Sequence, residues 1–336
     1  MSDPLVVIDA DVLGRRRTGD ETYIENLLRA LPAVGGGLRF AAITRRPELV
    51  PDGVEPIELP ARSQELQMAV RVPVLLRRLR PALAHFVHSL PLALPCPAVL
   101  TVQDLSFERN ARLMSRHEAA VFRLVVPRSA RRAQRVLAIS ERTRDDLVDL
   151  YSLPPSKVVV TPLAADPAFR PGGTRGDYLL LSGSIELRKN PLAAAEAARA
   201  VGRRLVVVGP ERDSALAAEL RARGIDVRGF VPKDELVRLT QEAAALLFPT
   251  SYEGFGLPVA EAMACGTPVV AAPDPAVREI GGDAVAYAEP QELGATLARV
   301  LAEPDRWARA GLERSRGYSW ERTARLTAAV YREALS

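Results

Sequence analysis

Two glutamates stand on either side of a glycine turn in residues 248–272, FPTSYEGFGLPVAEAMACGTPVVAA. Glu253 lies in a loop and Glu261 about one turn into the run that follows, with seven residues between them. Neither carboxylate suits the buried side of so apolar a segment unless a polar partner meets it. A ring of sugar hydroxyls is such a partner. The apolar run 243–248 predicts a short buried strand, 249–256 a polar loop, and 257–265 a helix rich in Ala, Leu, Met and Glu. Gly266 and Pro268 stop that helix, and 269–272 predicts a return strand. The helix would offer free N–H groups and the positive end of its dipole at Phe255, Gly256 and Leu257, which could hold a phosphate or a sugar hydroxyl. Gly254 and Gly256 permit close approach because no Cβ is in the way.

The elements that must place this stretch repeat the same rhythm. Residues 5–8, 40–43, 82–87, 98–102, 136–139 and 158–161 read as strands of a first half, and 178–181, 205–209 and 227–229 as strands of a second. A helical pattern follows the basic loop 15–23 and runs to residue 31, and others cover 64–80, 109–135, 293–301, 306–316 and 320–335, with Pro73 dividing or kinking the pattern over 64–80. Ser140 is placed to cap a helix. Residues 162–176, rich in Pro and Gly without apolar period, read as an interdomain linker.

At 336 residues and 48% hydrophobic, the chain is long enough for two ordinary domains. It has no run of about 18 uninterrupted apolar residues, so no spanning helix is expected. The acidic start MSDPLVVIDAD enters a strand directly and does not read as a secretory signal. Cys96 and Cys265 are the only cysteines and neither has a metal-ligand neighbour, which predicts reduced thiols in a cytoplasmic protein. The formal charge is +4 and nearly all basic residues are Arg, the lysines being Lys157, Lys189 and Lys233. A mildly basic enzyme suits anionic substrates. No nucleic-acid partner is expected. Residues 64–80 and 109–135 carry arginines on helical patterns and could touch an anionic membrane, or simply be solvated faces.

The stretch EGFGLPVAEAMACGTPVV, residues 253–270, is similar to the signature of retaining, nucleotide-sugar-dependent glycosyltransferases of family 4, whose mark is two glutamates around a GFG-type turn. The resemblance implies an α/β GT-B fold, two doubly wound parallel-sheet (Rossmann-like) domains facing across a cleft. It implies an acceptor-binding domain over 1–165, a donor-binding domain over 166–318, and a C-terminal helix, 319–336, crossing back to the first. Glu253 would hold the hexose and Glu261 the ribose. Arg188 and Lys189, in SGSIELRKNP, match the family's pair against the donor diphosphate, where fixed positive charge stabilises the charge growing on the distal phosphate. Ser184 stands near a position where some relatives carry a further Arg. Phe230 and Val231 would lie by the nucleotide base, with Thr250 contacting the nucleotide.

In the first half, Gly19 in RRRTGDETY matches a glycine loop facing the donor phosphates, or it makes an ordinary strand-to-helix turn. His88 and Ser89 would lie on the acceptor side unless the histidine is structural. In TVQDLSF, Gln103 stands where relatives usually have His; it can hydrogen-bond to the sugar but takes no proton at neutral pH. Asp104 could orient an acceptor hydroxyl or begin a turn. The family's retaining reaction is thought to use the donor phosphate oxygen as base. The implied activity is transfer of a mannose- or glucose-type hexose from a GDP- or UDP-sugar to a glycan or lipid-linked acceptor, without cofactor or metal. Two alternatives stay open: a GT-B nucleotide-sugar epimerase, and a non-catalytic nucleotide-sugar-binding relative. A peripheral position at the inner face of the membrane would follow from a lipid-linked acceptor.

Overall fold

Runs of Val, Ile, Leu and Ala form two parallel sheets whose central strands are buried on both faces, which is why they read as continuous apolar runs. The computed structural model describes residues 3–15, 18–59, 67–109 and 116–336. The chain divides into two compact units, residues 1–163 with 320–336, and residues 164–319.

The first unit holds β1 (Leu5–Asp9), β2 (Arg39–Thr44), β3 (Glu55–Glu58), β4 (Leu83–Val87), β5 (Ala98–Val102), β6 (Arg135–Ala138) and β7 (Val158–Val160), in the order β3-β2-β1-β4-β5-β6-β7. The second holds β8 (Leu179–Ser182), β9 (Leu205–Val208), β10 (Asp226–Gly229), β11 (Ala245–Phe248), β12 (Val269–Ala271) and β13 (Ala286–Tyr287), in the order β10-β9-β8-β11-β12-β13. The strand order reverses between β1 and β4 in one sheet and between β8 and β11 in the other. In open α/β sheets ligands bind outside the carboxyl ends of the strands at such a reversal.

Helix Trp320–Leu335 packs in the first unit against helix Thr18–Val34, with the Trp320 and Tyr23 rings 6.3 Å apart. Beneath it His85 is fully buried, its Nδ1 2.6 Å from the Tyr331 hydroxyl and its Nε2 2.7 Å from Thr101 Oγ1, which also meets the Tyr23 hydroxyl at 2.9 Å. Burial pushes the His85 imidazole down to about 3, so it is a neutral structural bridge.

Several elements differ from the sequence reading. Strand β3 was not expected: its EPIE sequence is exposed, proline-containing and at the sheet edge, so it carries no apolar signal. The helix expected over 109–135 runs in the described residues from Arg116 to Arg132, and Arg135 instead opens β6; Arg112 lies outside the described residues. Pro73 does divide its segment, standing near the start of helix Val72–Leu79 just after a π-helical turn, Gln67–Arg71; residues 64–66 lie outside the described residues. Helix Pro275–Gly281 was also unforeseen, and Asp274 caps it through the amides of Ala276 and Val277. Residues 162–176, read as the interdomain linker, have no helix or strand and contain the boundary between the two units at 163/164, and Leu163, Ala164, Asp166 and Phe169 within them are buried.

Candidate active site

The loops after β8 and β11 meet at the reversal point of the second unit. After β8, Gly183 and Ser184 lead into a 3-10 turn, Leu187–Lys189, and Asn190 in the left-handed region starts helix Pro191–Ala200. Gly209 in the next loop has φ +142°, and a Cβ there would lie 2.0 Å from the Gly183 carbonyl oxygen, so only glycine lets these two loops pack backbone to backbone. After β11, Thr250 to Glu253 fold onto the 3-10 turn: the Ser251 amide donates to the Arg188 carbonyl at 2.8 Å.

Glu253 is the centre of this arrangement. Its Oε1 is bonded by Lys189 Nζ, by Arg188 Nη1 at 3.1 Å and by Thr250 Oγ1 at 3.0 Å. Its amide donates to Asp274 Oδ2 at 3.3 Å. Arg188 also reaches the Tyr252 carbonyl at 3.0 Å and Glu186 Oε1 at 3.0 Å, and Glu186 accepts from Ser184 Oγ at 2.6 Å. Burial acts most strongly on the Glu253 carboxyl and opposes ionisation, but Lys189 and Arg188 together outweigh it and hold the group below the usual carboxylate range. The predicted residues Ser184, Arg188, Lys189, Thr250 and Glu253 thus form one network. Glu186 and Asp274 belong to it and were missed. Asp274 had a readable signal, an Asp directly before a helix-starting Pro; Glu186 had none.

Helix Leu257–Cys265 begins beside this network with the predicted boundaries. Its cap, Gly256, has φ +99°, a conformation that favours glycine. No side chain caps it, and the amides of Phe255, Gly256 and Leu257 donate to no acceptor among the described residues. Gly254 and Phe255 are buried, and the Phe255 ring meets Tyr318 edge-on at 6.0 Å. The turn therefore presents amides and a dipole end to whatever anion enters there.

Glu261, one turn further, is only 8% exposed and accepts no hydrogen bond from the described residues. Burial, helped by the neighbouring Asp166 and opposed by Lys233, raises its carboxyl to about 8. Phe230 follows β10 and is 44% exposed, so it does not pack in the core; Val231 beside it is half-buried.

In the first unit, Gly19 opens helix Thr18–Val34, and a Cβ there would lie 3.8 Å from Gln103 Oε1. Arg16 and Arg17 of that loop lie outside the described residues. Gln103 is buried, and its Nε2 has no hydrogen-bond partner among the described residues. Asp104 begins a turn, its Oδ1 accepting from the Ser106 amide at 3.0 Å and hydroxyl at 2.8 Å. His88, just past β4 at φ +62°, lies 3.7 Å from Asp20 Oδ1, with Ser89 half-buried beside it. Among the described residues no group of three or more His, Cys, Asp or Glu is placed to hold a metal ion, and no helix is long and apolar enough to cross a membrane.

Residues 17–169 match the model of Glycosyltransferase Family 4, and residues 170–313 the model of Glycosyl transferases group 1. The O-antigen chain mannosyltransferase B of Escherichia coli is 27% identical over 266 residues, 70% of each chain. The D-inositol 3-phosphate glycosyltransferase of Frankia alni is 34% identical over 241 residues, 60% of this chain and 59% of that protein. The chain thus spans less than two thirds of this second relative. The solved sucrose-phosphate synthase of Thermosynechococcus elongatus superposes with a TM-score of 0.80 at 18% identity, covering 98% of each chain. Anabaena HepE in complex with UDP-glucose does so with a TM-score of 0.73 at 15% identity, covering 98% of this chain and 99% of that one. These likenesses show the GT-B fold.

Proposed function

The chain belongs to the glycosyltransferases, its two halves matching family 4 and group 1, and we propose that it moves a mannose- or glucose-type hexose from a nucleotide-diphosphate sugar to an acceptor hydroxyl with retention of anomeric configuration. The observation that carries this reading is the Arg188–Lys189–Glu253 network at the β8/β11 reversal, next to the amides that open helix Leu257–Cys265. In this reading the diphosphate lies on Arg188, Lys189 and those amides, Glu253 meets the hexose, and Glu261 the ribose. Thr250 and the backbone near Phe230 and Val231 border the nucleotide. The glycosidic C1–O bond to phosphate breaks as the acceptor oxygen bonds C1, and the acceptor proton passes to the leaving diphosphate. Arg188 and Lys189 stabilise the charge that develops there. Because side chains and amides supply that charge, the reaction runs without metal. His88 and Ser89 hold the acceptor, and Gln103 hydrogen-bonds to the sugar.

The test is product analysis by NMR with UDP-glucose and GDP-mannose, with and without glycan and polyprenyl-phosphate acceptors, in EDTA. Transfer with the donor's α-configuration kept is expected. Donor turnover to an isomerised sugar without acceptor would favour an epimerase. Binding with neither transfer nor slow hydrolysis would favour a non-catalytic role. Strict dependence on Mg²⁺ or Mn²⁺ would overturn the metal-independent part.

A lipid-linked acceptor is favoured by exposed side chains on two helical segments of the first unit. Helices Val72–Leu79 and Arg116–Arg132 share one buried core, while Val70, Val74, Val121 and Leu124 are exposed alongside Arg77, Arg78 and Arg128. Aliphatic side chains among arginines suit an anionic bilayer. Co-sedimentation with phosphatidylglycerol vesicles but not phosphatidylcholine vesicles is expected; equal recovery in both supernatants would remove the membrane from the account.

A further inference from the structure

The buried carboxyl of Glu261 has neighbours that the donor-binding reading does not use. Asp166, in the segment before β8, is itself buried and fixed at both oxygens: Oδ1 accepts the Ala168 amide at 2.9 Å and Oδ2 accepts Lys233 Nζ at 2.8 Å. Lys233 opens helix Lys233–Glu242, directly after the loop that leaves β10 and carries Phe230 and Val231. The Lys233 ammonium donates to Asp166, and both charges act on the Glu261 carboxyl, Asp166 favouring its neutral form and Lys233 its ionised form. Glu261 is left buried beside a second acid.

Among the described residues, Asp166 and Lys233 are the charged groups that act on the Glu261 carboxyl. Cys265, one turn on along the same helix, is a thiol that burial pushes up to about 12. Arg316 and Asp166 border a cavity of about 180 Å³ whose wall includes Ala260, Met263 and Ala264 of this helix. An uncompensated carboxylate in such a place takes up a proton.

We propose that the Lys233–Asp166 ion pair is a positioning device that keeps Glu261 protonated in the free protein, and that a donor ribose, by giving it two hydroxyl donors, drives the proton off to solvent. This rests on the reading of Glu261 as the ribose-holding residue. In the step the Glu261 O–H bond breaks, its electron pair stays on the carboxylate, and the proton goes to the buffer base. Hydrogen bonds to a carboxylate are the stronger ones, so binding favours the ionised form. The same pair ties the loop after β10 to the segment before β8, so the nucleotide loop and the proton on Glu261 are set by one contact.

The experiment is calorimetric titration with UDP-glucose and GDP-mannose, whose phosphodiesters do not titrate in this range, in buffers of different ionisation heat. Wild-type protein should release about one proton per donor bound near neutral pH, with affinity rising up to about tenfold per pH unit and levelling near pH 8. Asp166→Asn frees Lys233 to face Glu261 and should move the levelling point down and reduce proton release. Lys233→Met, at an exposed side chain, should move it up. Glu261→Gln should bind more weakly with affinity independent of pH. A flat wild-type profile without proton release, while Glu261→Gln still weakens binding, overturns the proton device and leaves the ribose role standing. Glu261→Gln binding as wild type removes the ribose role itself. Asp166→Asn and Lys233→Met moving the profile in the same direction would also overturn the proposal.

Discussion

Lys189 and Glu253 are bonded to each other in the interior of the second unit, ammonium to carboxylate, with Arg188 on the same carboxylate oxygen at 3.1 Å. Residues adjacent in sequence, Arg188 and Lys189, thus converge on one acid brought from the far side of the β8/β11 pair.

Removing one partner of this network leaves a buried charge short of compensation. Lys189→Met should cost about 3 kcal/mol of stability, the low end for breaking a buried pair because Arg188 remains. Adding Glu253→Gln should return most of that stability while transfer stays lost. Denaturant unfolding of the single and double variants checks this; a double variant no more stable than Lys189→Met would show that the pair is not coupled.

His85 should make the first unit sensitive to acid. Its folded pKa is depressed to about 3 by burial, whereas an unfolded histidine titrates near about 6.5. The unfolded chain therefore binds the proton first, so the neutral histidine's contribution is complete above about pH 6.5 and is lost as pH falls. The stability difference between wild type and His85→Gln should shrink by about 1.4 kcal/mol per pH unit below that point, about 2 kcal/mol by pH 5. A difference constant from about pH 8 to about pH 5 would mean that His85 is not held neutral.

Asp104 spends its Oδ1 on the Ser106 amide and hydroxyl, a turn that an asparagine oxygen can also make. Asp104→Asn should melt with the wild type and keep transfer within about threefold, a change under about 1 kcal/mol in barrier. A loss of about a hundredfold with unchanged melting would give Asp104 a role at the acceptor instead.

What the sequence made legible was what periodicity and glycine record. The helix Leu257–Cys265 and strand β5 have the expected bounds because Gly266 and a clean apolar run mark them. Strand β3 stayed hidden because an exposed edge strand of Glu, Pro, Ile and Glu has no apolar face to show. In the site, Glu253, Arg188 and Lys189 were legible as chemistry, but their mutual bond was not, because 64 positions separate Lys189 from its acid. The Asp166–Lys233 pair was hidden for the same reason, and because Asp166 sits in a segment whose Pro and Gly content read only as an interdomain linker.

The most direct test of the account is a crystal structure of the protein soaked with UDP-glucose or GDP-mannose, read for the distance from the Glu261 carboxylate to the ribose hydroxyls. The account predicts about 2.6–3.2 Å, with the diphosphate on the amides of Gly256 and Leu257 and on Arg188. A nucleotide bound with Glu261 out of hydrogen-bond reach of its ribose and the diphosphate away from that helix N-terminus would contradict it.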